Sequence, residues 1–289
     1  MAVRSEYGKR EVEAAKRVLL ELMQILGEYR ESIVLIGGWV PYFLFGDMHI
    51  GSTDVDIALD RKRITDDVYR TIREHLESCG YNQGKQPFIF VKEITIDGGK
   101  PIAVQVDFLA EEYGGTDDSH RHQDVQADLK ARKARGCELA LRHSTKITII
   151  GTMPDSSNNS VEVNMSEVVP FIIMKGMALY DRMKEKDAWD VYFCVKHFSG
   201  GITELAEQFR RIQSDKLVQE GLAKIRSKFR TTDDLGPSWV VKFEELQDKE
   251  EQERLRRDAY EQVNALLDLL DVRPWDENSE KKKGNMFGI

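Results

Sequence analysis

The sequence is short of the residues that mark several common protein classes. It has three cysteines, Cys79, Cys137 and Cys194, far apart and without a CxxC pair. That excludes a disulfide framework and a zinc knuckle, and leaves three reduced thiols in or near a core. No apolar run approaches the roughly 18 residues that a membrane span needs. Residues 1–16 are charged from the start and lack the apolar segment of a secretory signal, so the expected location is the cytosol and no membrane partner is expected. Positive charge is in deficit: 42 Lys and Arg against 50 Asp and Glu give a formal net charge of -8. A polynucleotide gripped across a broad face calls for a basic surface, so the balance argues against that mode. It leaves room for a local basic patch, and for a nucleotide bound through metal ions.

What is present is the balance of a soluble globular chain, 41% hydrophobic and 32% charged over 289 residues, enough for two ordinary domains or one large one. Residues 8–30 carry Val12, Ala15, Val18, Leu19, Leu22 and Leu26 at helical spacing. Residues 32–36 are a β-branched run that stops at Gly37-Gly38, a buried strand ending in a tight turn. Residues 39–45 read as a helix with Pro41 in its first turn, and residues 54–59 as a strand that opens with one polar face. Residues 65–79 read as a helix closed at Cys79-Gly80. Residues 87–91 and 102–109 are strands around the Asp97-Gly98-Gly99 turn, and residues 146–150 and 161–163 are late strands around a polar loop. Beyond residue 165 helical patterning dominates, over 165–198, roughly 202–229 and 244–270. The domain expectation is an α/β (α+β) head over 1–165, an all-helical domain over 166–275 and a disordered tail over 276–289 containing Lys281-Lys282-Lys283.

The chemistry-bearing pattern is strand, Gly37-Gly38, helix, then Asp54-x-Asp56 on the next strand. Residues two apart on a strand point to one face, so the two carboxylates stand side by side. Adjacent carboxylates repel unless a cation lies between them. Magnesium suits the pair, since it takes hard oxygen ligands and leaves positions for phosphate oxygens and water. The glycine turn lets backbone N–H groups approach a triphosphate at a helix N-terminus. Such a site suits phosphoryl or nucleotidyl transfer with two metal ions, one at the attacking hydroxyl and one at the pyrophosphate. Asp107, in the apolar run Val104-Gln105-Val106-Asp107-Phe108, is costly to bury alone. On a strand beside the Asp54 strand it completes a three-carboxylate cluster and serves as general base; otherwise it is a strand-end acid facing solvent.

Val34-Leu35-Ile36-Gly37-Gly38 followed by Ser52-Thr53-Asp54-Val55-Asp56-Ile57 resembles the hGG…DhD motif of the nucleotidyltransferase (DNA polymerase β-like) superfamily. Lys175-Gly176-Met177-Ala178-Leu179, Arg182, and Lys186-Asp187-Ala188-Trp189-Asp190 resemble the K-x-x-A-L…R…K-D-x-x-D signature of its AbiEii-type branch, which includes toxins of toxin–antitoxin and abortive-infection systems. The two motifs and the strands between them cover roughly residues 31–198. The resemblance implies a nucleotidyltransferase head with a mixed sheet, and Mg2+ or Mn2+ held by Asp54, Asp56 and Asp107. It implies NTP contacts from Gly37, Gly38, Ser52, Lys175, Arg182 and Asp187, and a role in the reaction for Lys175 and Asp190. It implies an NTP substrate, an RNA (such as tRNA) or protein acceptor, and an antitoxin protein as partner. The chain departs from the family at Ile50, where members often carry an Arg four residues before the first metal-binding Asp; His49 lies beside it. On residues alone, Lys175, Arg182, Asp187 and Asp190 also read as a surface helix laced with ion pairs.

Residues 117–122 gather Asp117, Asp118, His120, Arg121 and His122 in what reads as a solvated loop. Residues 130–135 (Lys-Ala-Arg-Lys-Ala-Arg) read as a solvated helix face, with a phosphate contact as the alternative. Residues 216–230 are the candidate nucleic-acid contact, and Trp39 is a core residue or a stacking platform. Two other functions compete: a small-molecule nucleotidyltransferase of the antibiotic-modifying kind, whose cationic acceptors would suit the net charge, and a non-catalytic nucleotide-binding module.

Overall fold

The computed structural model describes residues 3–64, 71–112, 122–126 and 128–275. The expectations for residues 65–70, for Asp117 to Arg121 and for the tail over 276–289 lie outside the described residues. The chain divides into two compact units, Arg4–Met174 and the residues from Lys175 on.

The first unit begins with α1 (Lys9–Ile25), which buries Ala14, Ala15, Val18, Leu19 and Leu22 at the spacing of one helical face. A 3-10 segment (Gly27–Ser32) leads into β1 (Ile33–Ile36), α2 (Trp39–Phe45) and β2 (Asp54–Leu59). The described part of the 65–79 helix is α3 (Ile72–Ser78). Thr71 and Glu74 form a capping box at its start, and Cys79 with Gly80 (φ +80°) closes it. Then follow β3 (Asn82–Gln83), β4 (Ile89–Ile94), β5 (Ile102–Ala110), β6 (His122–Gln126), β7 (Leu129–Lys133), α4 (Cys137–Arg142), β8 (Ser144–Thr152) and β9 (Asn158–Ser166).

Among the described residues these nine strands make one mixed sheet in the order β3-β4-β5-β2-β1-β9-β8, with the β6–β7 hairpin joined to β5 through β7. β1 runs antiparallel to β2 and parallel to β9; β2 runs parallel to β5; the β4–β5 and β8–β9 pairs are antiparallel. α4 covers one face of this sheet through a cluster of Val34, Ile36, Ala58, Leu109, Cys137 and Ala140. α1 lies on the other face, where Gly151 meets Lys16 and Leu20.

The basic stretch 130–135 corrects its sequence reading. It is strand β7 and its exit, paired with β5 and β6, not a helix face. Its Lys, Ala and Arg residues favour a helix intrinsically, but ladder pairing with a buried strand overrides that preference.

The second unit is helical: the remainder of α5 (Val168–Asp181), α6 (Glu185–His197), α7 (Gly201–Arg210), α8 (Lys216–Lys228), α9 (Leu235–Glu244) and α10 (Lys249–Leu269). The stretch 165–198 is two helices, because the chain breaks at Met183, whose φ is +51°. Trp189 of α6 packs against the tilted rings of Phe193 and Phe243 and donates its indole N–H to Glu244 at 2.5 Å. That aromatic cluster fixes α9, which the sequence patterning left unread.

Candidate active site

β1 delivers the chain into Gly37 with φ +72°, a left-handed conformation that L side chains resist. A Cβ at Gly37 would stand 2.2 Å from Oδ2 of Asp56. Two demands therefore fall on one residue: the turn, and space for the Asp56 carboxylate. Trp39 opens α2 and is fully buried, its indole N–H donating to the backbone oxygen of Asp54 at 2.8 Å. It is a core residue that pins the start of β2, and the base-stacking alternative falls away. Before β2, the buried His49 accepts the Gly51 N–H at Nδ1, and the Ser52 hydroxyl donates to Asp54 Oδ1 at 2.5 Å.

The third acid arrives by register. Asp54 pairs with Gln105 and Asp56 with Asp107 across the parallel β2–β5 ladder. In-register neighbours point to the same side of a sheet, about 4.8 Å apart, so Asp54, Asp56, Gln105 and Asp107 share the face that α4 covers further along, over Ala58 and Leu109. Asp107 is 7% exposed and its Oδ1 accepts the Gln105 side-chain amide at 2.8 Å. The donor set is hard carboxylate oxygen, which fits a divalent cation. Ser52 and Gln105 hold Asp54 and Asp107, and among the described residues no three acidic, His or Cys side chains stand as a ready group of ligands around one point. The site thus offers hard oxygen donors on one face of the sheet.

In the second unit, α5 and α6 bring the signature residues into a buried ion network. Lys175 Nζ lies 2.9 Å from Asp187 Oδ1 and 2.7 Å from Asp190 Oδ2. Arg182 forks onto Asp187 with two contacts of 2.8 Å. Asp187 and Asp190 are 1% and 0% exposed, so this is no surface lacework. Burial opposes ionisation of Asp187, but the Lys175 and Arg182 charges outweigh it and hold its carboxyl below the usual range. Burial likewise disfavours the Lys175 ammonium, and the two carboxylates overcome this and push it up. Lys186, absent from the expected site residues, completes the network with contacts of 3.0 and 3.1 Å to the two Asp190 oxygens. Its i,i+4 spacing to Asp190 was the signal that could have found it.

The basic stretch 216–230 is not a free cationic stripe. On α8, Lys224 is buried, 3.0 Å from Glu220 and 3.6 Å from Asp181. Arg226 pairs with Asp268 at 2.5 Å and also bonds Asn264, while Arg230 pairs with Asp234. Of residues 117–122 only His122 is described, on β6.

A strand that ends in a Gly-Gly turn, a short helix, and a D-x-D strand with a third acid on its parallel neighbour make up the head of a nucleotidyltransferase. A family model described as the nucleotidyl transferase AbiEii toxin of a type IV toxin–antitoxin system matches residues 21–269, and the chain belongs to that family of nucleotidyltransferases. No curated protein matches the chain. An antigenic nucleotidyltransferase-like protein from Paracoccidioides brasiliensis is similar to it at 16% identity, over 70% of this chain and 90% of its own, with a TM-score of 0.39. Among the described residues no helix is long and apolar enough to cross a membrane.

Proposed function

We propose that this chain, acting in the cytosol, transfers a nucleoside monophosphate from an NTP to a hydroxyl of an RNA, such as a tRNA, or of a protein, and does so as the toxin of a toxin–antitoxin pair. The acceptor oxygen attacks the α-phosphorus, the bond from that phosphorus to the pyrophosphate oxygen breaks, and the hydroxyl proton passes to Asp107. Asp54 and Asp56, with Asp107, hold Mg2+ or Mn2+, which when bound neutralises phosphate charge and lowers the pKa of the hydroxyl. Ser52 fixes the Asp54 carboxylate, and Gly37 and Gly38 give the triphosphate close access to backbone N–H groups. In the helical unit, Asp187 and Asp190 orient Lys175, and Arg182 steadies Asp187.

The observation that carries this reading is the set of acids on one sheet face beside a glycine whose missing Cβ leaves room for Asp56. An antitoxin is the partner that family membership suggests. The test is label transfer. Each α-labelled NTP is incubated singly with magnesium, the protein, and total RNA or a lysate, beside an Asp54→Asn/Asp56→Asn double variant. Label in RNA or protein, absent with the variant, is the expected result and names the base and acceptor class. Pyrophosphate release only when small cationic hydroxyl compounds are added would move the assignment to a small-molecule transferase.

A further inference from the structure

β6 and β7 extend the acid-bearing face of the sheet by two strands. Leu109 of β5 pairs with Arg132 of β7, and Arg132 pairs with His122 of β6. Leu109 lies two residues beyond Asp107 on the same strand, so Asp107, Leu109, Arg132 and His122 all point to one face. The Arg132 charge is felt at the thiol of Cys137, which packs with Leu109 beneath α4, and this agrees with that orientation. Arg132 is a diagonal neighbour of Asp107, at about 7–8 Å between backbones, within reach of a side chain of its length.

The surroundings of Arg132 differ from those of several half-buried cations that meet a carboxylate. Arg17 meets Glu13 at 2.9 Å, Lys92 meets Glu21 at 3.5 Å and Arg226 meets Asp268 at 2.5 Å. Arg132 has no hydrogen-bond or ion-pair partner among the described residues, in a chain with a net charge of -8. Its guanidinium stands 6.0 Å from the centre of the Phe88 ring, the outer limit of a cation–π contact and no acceptor for its N–H groups. Phe88 in turn lies 6.5 Å from the His122 ring and accepts the Phe108 N–H next to Asp107. A partly desolvated guanidinium keeps five N–H donors in a planar fork that matches two phosphate oxygens. Among the described residues its N–H groups meet no protein acceptor, and a substrate phosphate set against the neighbouring acids would supply one.

We infer that Arg132, flanked by Phe88 and His122, is a phosphate-binding residue of the transferase head. This rests on the nucleotidyl-transfer reading for its position beside the reacting groups. The phosphate belongs either to the triphosphate of the NTP or to the phosphodiester backbone of an RNA acceptor, and both offer the same oxygens.

The full-length protein and its Arg132→Ala, Arg132→Lys and Asp54→Asn variants, with equal thermal unfolding as the fold check, separate these sources. Equilibrium binding is measured without turnover, with magnesium, to the four α,β-methylene nucleoside triphosphates and to a single-stranded RNA oligonucleotide. Arg132→Ala should weaken one of the two by roughly tenfold or more, and millimolar guanidinium should restore part of the loss, an effect that a purely structural role would not give. Weakened triphosphate binding assigns Arg132 to the NTP; weakened RNA binding alone assigns it to the acceptor. Arg132→Lys should fall between, since it keeps the charge and loses the fork. Unchanged affinity for both probes in a folded Arg132→Ala protein overturns the inference, and so does failure of the unaltered protein to bind either. If Asp54→Asn abolishes label transfer while Arg132→Ala leaves rate and KM intact, the transferase reading stands and the inference fails. If nothing is transferred yet Arg132 still governs phosphate affinity, the transferase reading fails and the anion subsite stands.

Discussion

Gly37 couples backbone and side-chain requirements within one residue. Its φ of +72° costs an L residue about 1–2 kcal/mol, and an added methyl would meet Asp56 Oδ2 at 2.2 Å. Gly37→Ala should therefore lower stability by about that amount and move the Asp56 carboxylate. A displacement near 1 Å at such a group costs on the order of 100-fold in rate. Initial rates of label transfer and a thermal melt check this together; near-normal transfer would show that Asp56 does not need its present place. Asp190 presents a different residue-scale case. It receives both Lys175 and Lys186 and is wholly buried. Asp190→Ala removes the carboxylate that Lys186 and Lys175 share, Lys175 keeping Asp187, and removal of one partner from a buried pair costs about 3–5 kcal/mol. The unfolding free energy from urea titration should fall by that margin. A change under 1 kcal/mol would mean that water already reaches the lysines.

At the scale of elements, a glycine marks a close approach of two helices in the second unit. A Cβ on Gly176 of α5 would stand 2.7 Å from the backbone oxygen of Gly221 on α8 and 2.7 Å from the Ile225 side chain. Gly176→Ala should push the two helices apart. Overpacking of this kind costs about 1–3 kcal/mol, more than the gain in helix propensity of about 1 kcal/mol. A fall in melting temperature is expected, and a rise would show that α8 can shift freely. Elements also mark where sequence reasoning stopped. The bounds of α2 and β2 were legible because Gly37-Gly38 and the D-x-D alternation punctuate them. β7 was not, because nothing local tells a Lys-Ala-Arg-Lys strand from a helix until β5 offers it hydrogen bonds.

For the whole molecule, pH acts through the buried network. Asp187 titrates lower folded than unfolded. The stability it contributes is present above the unfolded value near pH 4 and is lost as pH falls through the folded value. Lys175 titrates higher folded than unfolded, so its share is present below about pH 10 and lost as pH rises further. The unfolding free energy should hold through neutrality and drop below about pH 4. In Asp187→Asn that acid limb should flatten, relative to a lower plateau, in urea titrations across pH. An acid limb of unaltered steepness would assign the loss to other carboxylates.

The sequence by itself determined the mixed α/β head, the helical second half and the acids on the D-x-D strand, because periodicity, glycine turns and two-residue alternation are local properties. It also carried the resemblance that family membership bears out. The tertiary structure alone decided which groups share a place. Register set Asp107 beside Asp56 and ran Arg132 and His122 onto the same face. Burial turned a charged helix pair into a closed network, and ion pairs took up Lys224, Arg226 and Arg230 of a basic stretch that looked free on paper. Strand order and pairing join residues far apart in the chain, and the free energy that selects them comes from burial and hydrogen bonds that exist only once the sheet and helices have assembled.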